Sequence, residues 1–391
     1  MHQPPKILIV DDTPLNVDLL EQALDELGYQ TVTAAHGQAA LAQIAATQPD
    51  LMLLDIMMPV MDGYQVLTHL KADPQLRDLP VIVISALSDM ESIVRGIALG
   101  AEDFLPKPFD PVLLQARLSA SLEKKRLRDL EKQFRRALER ELEIGRDIQA
   151  SFLPARLPEP QGWELAARFM AQRQVAGDFY DAFYAPDASR LCVVIGDVSG
   201  KGVGAALYMT LFRTLLRVLI QRGNETVGGD DASVLIRAVD FTNTYVSQTH
   251  GESNMFATIF VGLIDLTNGT LTYVNAGHNP PMLLSQGRVR DVLARTGMVV
   301  GLRAASWVAA QAQLAPGETL LLYTDGVTEA FNAEAQDYGE ARLEQVAAGA
   351  ALSADALVQH VAQDVFQFIG AAEQADDLTI LAVRRADAQE S

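Results

Sequence analysis

Ile7-Leu8-Ile9-Val10-Asp11-Asp12 is an apolar run that ends on two carboxylates, and Leu51-Met52-Leu53-Leu54-Asp55 ends the same way on a third. Unbroken apolar runs of this length suit strands buried on both faces of a parallel sheet. Working outward, Val81–Ile84 and Asp103–Leu105 read as further strands, with a weaker one near Thr31–Ala34. Helical stretches lie between them at Leu15–Leu27, Gln38–Ala46 and Ser92–Leu99, the first and last stopped by Gly28 and Gly100. This alternation predicts an α/β domain with a doubly wound, parallel five-stranded sheet. In such sheets the C-terminal strand ends line the functional crevice, so Asp11, Asp12 and Asp55 are expected to converge there. Clustered carboxylates repel, and a hard cation such as Mg²⁺ would neutralise them. The pocket suits phosphoryl transfer to a carboxylate, with Ser85 able to hydrogen-bond a phosphoryl oxygen and Lys107 supplying a point charge.

The ordered set Val10-Asp11-Asp12, Leu54-Asp55-Ile56-Met57-Met58-Pro59, Asp62-Gly63, Ser85-Ala86 and Lys107-Pro108-Phe109 resembles the response-regulator receiver family. The resemblance implies that Asp55 is the phospho-acceptor and that Asp11, Asp12 and Asp55 hold Mg²⁺ together with the Met57 carbonyl. It also implies that Lys107 contacts the phosphoryl group, that Ser85 and Phe104 are a conformational switch pair, and that Lys107-Pro108 is cis. A cognate sensor histidine kinase or phosphotransfer protein would be the phosphodonor.

Between Gln115 and Ser151 the chain carries Leu118, Leu122, Leu127, Leu130, Phe134, Leu138, Leu142 and Ile148 among charged residues, without proline. A long amphipathic helix is the simplest reading, and its coiled-coil-like seam predicts a homodimer. The step from Leu122 to Leu127 and Gly145 break a strict heptad. Pro154, Pro158 and Pro160 then end the helix. Farther on, Leu191–Ile195, Met255–Ile264, Thr270–Val274 and Thr319–Tyr323 read as strands, and Ala206–Leu219 and Ala354–Phe368 as helices.

A second acidic set follows in glycine-rich or turn-like contexts: Ala176-Gly177-Asp178-Phe179-Tyr180-Asp181, Gly196-Asp197-Val198-Ser199-Gly200-Lys201, Thr324-Asp325-Gly326 and Ala375-Asp376-Asp377. All donors are oxygens, which favours Mg²⁺ or Mn²⁺ over Zn²⁺. Two such ions can share a carboxylate, activate water and stabilise in-line attack on phosphorus. With Glu143-Ile144-Gly145-Arg146-Asp147-Ile148-Gln149 and Asn275-Ala276-Gly277-His278-Asn279-Pro280-Pro281, the set resembles the SpoIIE-like branch of the type 2C protein phosphatases. That implies an αββα sandwich holding two Mn²⁺ or Mg²⁺ ions. Asp197 would bridge them, Asp325 and Asp376 would complete one coordination sphere, and Asp178 with the Val198 carbonyl the other; Asp377 is an adjacent candidate. Two departures stand out, Ala176 in place of a glycine and Lys201 in place of a common histidine. His278 reads as part of a turn, and Arg173 as an exposed charge.

The expected division is a receiver at 1–121, a helical coiled-coil linker at 122–155 and a phosphatase domain at 156–391. The resemblance implies a phosphorylated anti-sigma-factor antagonist-like protein as substrate, with Asp55 phosphorylation in control. The rival is a non-catalytic binding protein that sequesters a sigma-factor regulator or serves as a protease adaptor. The formal net charge of −19 disfavours a phosphodiester partner, so nucleic acid is not expected. No run of 18 or more apolar residues suggests a membrane span, and the N-terminus lacks a leader-like apolar stretch, so a cytoplasmic location is expected. The single cysteine, Cys192, lies in an apolar run and reads as core.

Overall fold

The computed structural model describes residues 4–86, 90–223, 230–348 and 353–387; the first three residues, part of the N-terminal reading above, lie outside that set. The chain divides into two units, Met1–Leu138 and Glu139–Ser391, each described separately.

The first unit alternates β1 (Lys6–Val10), α1 (Pro14–Glu26), β2 (Gln30–Ala34), α2 (Gly37–Thr47), β3 (Leu51–Asp55), α3 (Gly63–Ala72), β4 (Val81–Ala86), α4 (Met90–Ala98), β5 (Asp103–Lys107) and α5 (Pro111–Phe152). The strands form a parallel sheet of order β2-β1-β3-β4-β5, as the apolar runs predict. Successive residues point to opposite faces. Ile7, Ile9, Leu51 and Leu53 pack with Leu20, Leu24, Leu114 and Leu118 on one side, and Leu8, Val10, Met52 and Leu54 with Ile44, Val66 and Leu70 on the other. Each such side chain contributes roughly 1.5–3 kcal/mol by leaving water. α3 is absent from the sequence reading; Asp62 starts it with a capping box to Gln65.

α5 begins at Pro111, earlier than Gln115, because proline suits the first turn of a helix. Within the first unit it is tied down by Arg117–Asp103, Lys125–Asp50, Lys132–Asp78, and Lys124 and Arg128 on Glu102. Leu127, Leu130, Phe134 and Leu138 remain exposed. Gly145 does not interrupt the helix.

The second unit contains β6 (Trp163–Met170), β7 (Phe179–Tyr184), β8 (Arg190–Val198), α6 (Val203–Arg222), α7 (Asp231–Thr249), β9 (Ala257–Asp265), β10 (Thr270–Ala276), β11 (Met282–Ser285), β12 (Arg288–Val292), β13 (Ala310–Gln313), β14 (Thr319–Tyr323), α8 (Asp325–Thr328), α9 (Gly339–Ala347), α10 (Ala354–Ile369) and β15 (Leu378–Arg385). Two sheets result, β13-β10-β9-β8-β7 and β12-β11-β14-β15-β6. Leu191, Val193 and Ile195 of β8 face Leu320, Leu322, Leu381 and Val383 between the sheets. The alternate residues Cys192 and Val194 meet Met209, Phe212 and Leu216 of α6. Val358, Val361 and Val365 of α10 cover the other sheet, completing an αββα sandwich. α6 is long and apolar enough, by length and composition, to cross a bilayer. Here it is a core helix, and its Arg213 and Arg217 pair with buried Asp181 on β7.

Candidate functional site

The parallel sheet delivers Asp11 just past β1 and Asp55 at the end of β3, so their carboxylates meet with that of Asp12: ligand oxygens of the three lie within 4.8 Å of one another. Asp11 is held by Asn16 Nδ2, 3.1 Å from each oxygen, and by the Thr13 N–H at 2.9 Å. Lys107 Nζ lies 2.8 Å from Asp11 Oδ2 and 3.1 Å from Asp55 Oδ2. Burial pushes the Asp55 carboxyl up, Lys107 opposes this and Asp11 adds to it. Burial also pulls at Lys107, but its bond to Asp11 and the charge of Asp55 hold the ammonium above its ordinary range. Three converging carboxylates with one amine fit a hard divalent cation beside an accepted phosphoryl group.

Met57 follows Asp55 by two residues, with its side chain exposed. Buried Ser85 and half-buried Phe104 sit on the neighbouring strands β4 and β5, and the Arg117 guanidinium lies 5.6 Å over the Phe104 ring. The Lys107-Pro108 peptide is cis.

In the sandwich, Asp197 lies near the end of β8 and Asp178 just before its neighbour β7. Asp325 follows β14 and Asp376 precedes the adjacent β15. The ends of both sheets thus contribute to one edge. Two cross-sheet links fix it: the Thr324 and Thr379 hydroxyls donate to Asp178 Oδ2 at 2.7 and 2.6 Å, and Asp377 accepts the N–H groups of Gln172 and Gly177 at 2.8 and 2.7 Å. Both Asp377 oxygens are occupied in this way, so it pins two loops together. Glycine is required at 177, where a Cβ would lie 2.8 Å from the Val198 carbonyl and 3.4 Å from Asp197 Oδ1. It is required at 326, where a Cβ would lie 1.8 Å from the Asp377 carbonyl. Gln149, near the end of α5, grips the same loop, donating to the Ala176 carbonyl at 2.6 Å and accepting its N–H at 3.0 Å.

This edge is short of positive charge. Burial, then Asp325 and Asp376, pushes Asp197 up to about 8. Burial and Asp197 raise Asp178 well above the usual carboxylate range; burial, Glu329 and Asp376 raise Asp325. Asp178 and Asp197 repel each other by charge, Asp197 standing second only to burial among the causes that raise Asp178. Two unit charges about 4 Å apart repel by about 4 kcal/mol at an effective dielectric near 20. An all-oxygen set with this excess charge fits Mg²⁺ or Mn²⁺. Among the described residues, only the Asp11–Asp12–Asp55 group brings three ligand atoms within 4.8 Å of one another, so the sandwich set is the more open.

His278 is fully buried, its Nδ1 2.8 Å from Thr258 Oγ1, and burial lowers it to about 3, so it is neutral. Arg173 is exposed. Thr324, Thr379, Gln149 and Gln172 are site residues to which the sequence pattern gives no role, although Thr324 and Gln149 stand within the motifs quoted above.

The profile of the stage II sporulation protein E (SpoIIE) family matches residues 187–386, and that of the response regulator receiver domain matches residues 7–119. Protein IcfG of Synechocystis sp. is 40% identical over 266 residues, covering 63% of this chain and 41% of its own length. Response regulator PleD of Caulobacter vibrioides is 48% identical over 113 residues, covering 29% of this chain and 25% of PleD. The chain therefore spans less than half the length of either relative. The SiaA-PP2C domain of Pseudomonas aeruginosa superposes with a TM-score of 0.55 at 22% identity, covering 64% of this chain and 98% of that domain, which shows a shared fold.

Proposed function

This chain belongs to the SpoIIE family and carries a receiver domain ahead of its SpoIIE domain, and from that premise we propose that it is a type 2C phosphatase that hydrolyses phosphoserine or phosphothreonine on a partner protein under control of Asp55 phosphorylation. The observation that supports catalysis most directly is the gathering of Asp178, Asp197, Asp325 and Asp376 from two sheets onto one charge-deficient edge. Those carboxylates, with the Val198 carbonyl, would hold two Mn²⁺ or Mg²⁺ ions, which supply Lewis acidity and lower the pKa of water. Asp377 is a positioning residue, since both its oxygens serve backbone N–H groups. Thr324 and Thr379 orient Asp178. His278 is neutral and buried, so it does not protonate the leaving oxygen, a role water could fill. The substrate class we assign is a small phosphoprotein of the anti-sigma-factor antagonist type.

In the receiver, Asp55 would accept the phosphoryl group from a histidine kinase or phosphotransfer protein. Asp11 and Asp12 would hold Mg²⁺ with Asp55 and the Met57 carbonyl, and Lys107 would pair with the phosphoryl oxygens. Ser85 and Phe104 would register the change. Control runs along α5: its exposed Leu127-Leu130-Phe134-Leu138 stripe would pair with a second copy, and Gln149 passes helix position to the Ala176–Asp178 loop. The functional division is a receiver at 1–121, a linker at 122–155 and a phosphatase at 156–391.

The test is phosphate release from candidate phosphoproteins by the full chain with Mn²⁺, with and without beryllofluoride. Release should depend on Mn²⁺, change with beryllofluoride and fall by more than about 100-fold in Asp197→Ala. No release in either state, or equal release by the variant, would leave a non-catalytic binding protein as the better reading. Sedimentation as a monomer in both states would remove the dimer.

A further inference from the structure

One cation at the sandwich edge is built into the chain. Lys201 lies in the loop between β8 and α6 and reaches across to the segment before β15. Its Nζ is 2.9 Å from Asp376 Oδ2, donates to the Ala375 carbonyl at 2.8 Å and stands 3.4 Å from Gln172 Oε1. The other Asp376 oxygen accepts the Asp377 N–H at 2.8 Å. Asp376 is thus engaged on both oxygens. No basic side chain pairs with Asp178, Asp197 or Asp325 among the described residues, although Asp376 raises both Asp197 and Asp325 by its proximity.

An ordinary surface ion pair would not explain this placement. One ammonium meets three acceptors, all on the two segments that carry or brace candidate ligands, Gln172 beside the Asp377 anchor and 375–376 itself. The Lys201 and Asp376 side chains are each 39% exposed, so a lysine on a flexible stem can swing away without moving backbone.

We propose that Lys201 is a tethered counter-ion: it holds Asp376 in place while the edge lacks metal, and a divalent ion taking Asp376 displaces it toward solvent. The inference rests on the metal reading of the edge given above. It makes Lys201 a determinant of the ion concentration at which the edge fills, since each filling event must first break the internal pair.

Two measurements on the full chain test it, with Asp197→Ala identifying the share of Mn²⁺ binding that belongs to this edge. In isothermal titration, Lys201→Gln should bind Mn²⁺ about two- to fivefold more tightly than wild type, the range expected for a half-exposed pair. In wild type, acetylation of Lys201 followed by mass spectrometry should become several times faster at saturating Mn²⁺. Weaker or unchanged Mn²⁺ binding by Lys201→Gln overturns the proposal, as does Lys201 reactivity that Mn²⁺ leaves unchanged or lowers. If wild type binds Mn²⁺ at this edge and neither readout moves as expected, only the lysine assignment falls. If wild type shows no binding that Asp197→Ala removes, the metal reading falls with it.

Discussion

The receiver and the sandwich each gather carboxylates at strand ends, yet they balance them differently. In the receiver, Lys107 stands between Asp11 and Asp55 at 2.8 and 3.1 Å, and Asn16 and the Thr13 N–H complete the Asp11 shell. In the sandwich, the most deeply buried member, Asp178, receives only hydroxyl donors, and Lys201 meets the half-exposed Asp376 at the rim. One site carries its neutralising charge at its centre; the other has a deficit inside and a loosely held cation outside. A divalent ion should therefore matter more to the fold of the second unit than to that of the first.

The largest effect expected from this contrast is on thermal stability. A ligand at about 100 times its dissociation constant stabilises the state that binds it by about 2.7 kcal/mol, or roughly 5–10 °C for a unit of this size. Mn²⁺ at that multiple of the second unit's dissociation constant should stabilise the second unit by that free energy and the receiver by fewer kcal/mol, with hydrogen exchange along β7–β8 and β1–β3 reading the two separately. Equal shifts would break the contrast.

The next effect is in the receiver alone. Removing one partner from a buried ion pair costs about 3–5 kcal/mol, and the 27% exposure of the Lys107 side chain discounts this to about 2 kcal/mol. Lys107→Met should lose that much in urea unfolding without Mg²⁺ and recover part of it when Mg²⁺ is added. A variant as stable as wild type without Mg²⁺ would show that Lys107 does not neutralise the pocket.

Legibility in the sequence follows the range of the interaction. The receiver's carboxylates are readable because each ends a continuous apolar run, and the edge aspartates because small residues flank them, for which Gly177 and Gly326 now have steric reasons. α3 carries a local signal, Asp62 three residues before Gln65, that an apolar-pattern reading passes over. Strand β12, Arg288–Val292, is largely exposed and charged, so no hydrophobic alternation marks it. Thr324 and Thr379 are unreadable for a different reason. Their partner Asp178 lies 146 and 201 residues away, and only the packing of one sheet on the other brings hydroxyl and carboxylate together.

Those hydroxyls give the smallest and most local test. Thr379→Val keeps the shape of the side chain and removes the 2.6 Å bond to Asp178 Oδ2, leaving the 2.7 Å bond from Thr324. Thr324 is the poorer choice, because its hydroxyl also accepts the Thr379 N–H at 3.0 Å and its loss would disturb the backbone. A side-chain hydrogen bond contributes about 1 kcal/mol net, so the metal-free second unit should lose about that much. Mn²⁺ affinity should fall about tenfold, since groups that orient a ligand govern its geometry as well as its charge. The receiver, which shares no donor with this edge, should keep its stability. If Mn²⁺ affinity is unchanged while stability drops, Asp178 is a structural carboxylate, and the ions would have to be held by Asp197, Asp325 and Asp376, the half of the edge that Lys201 already touches.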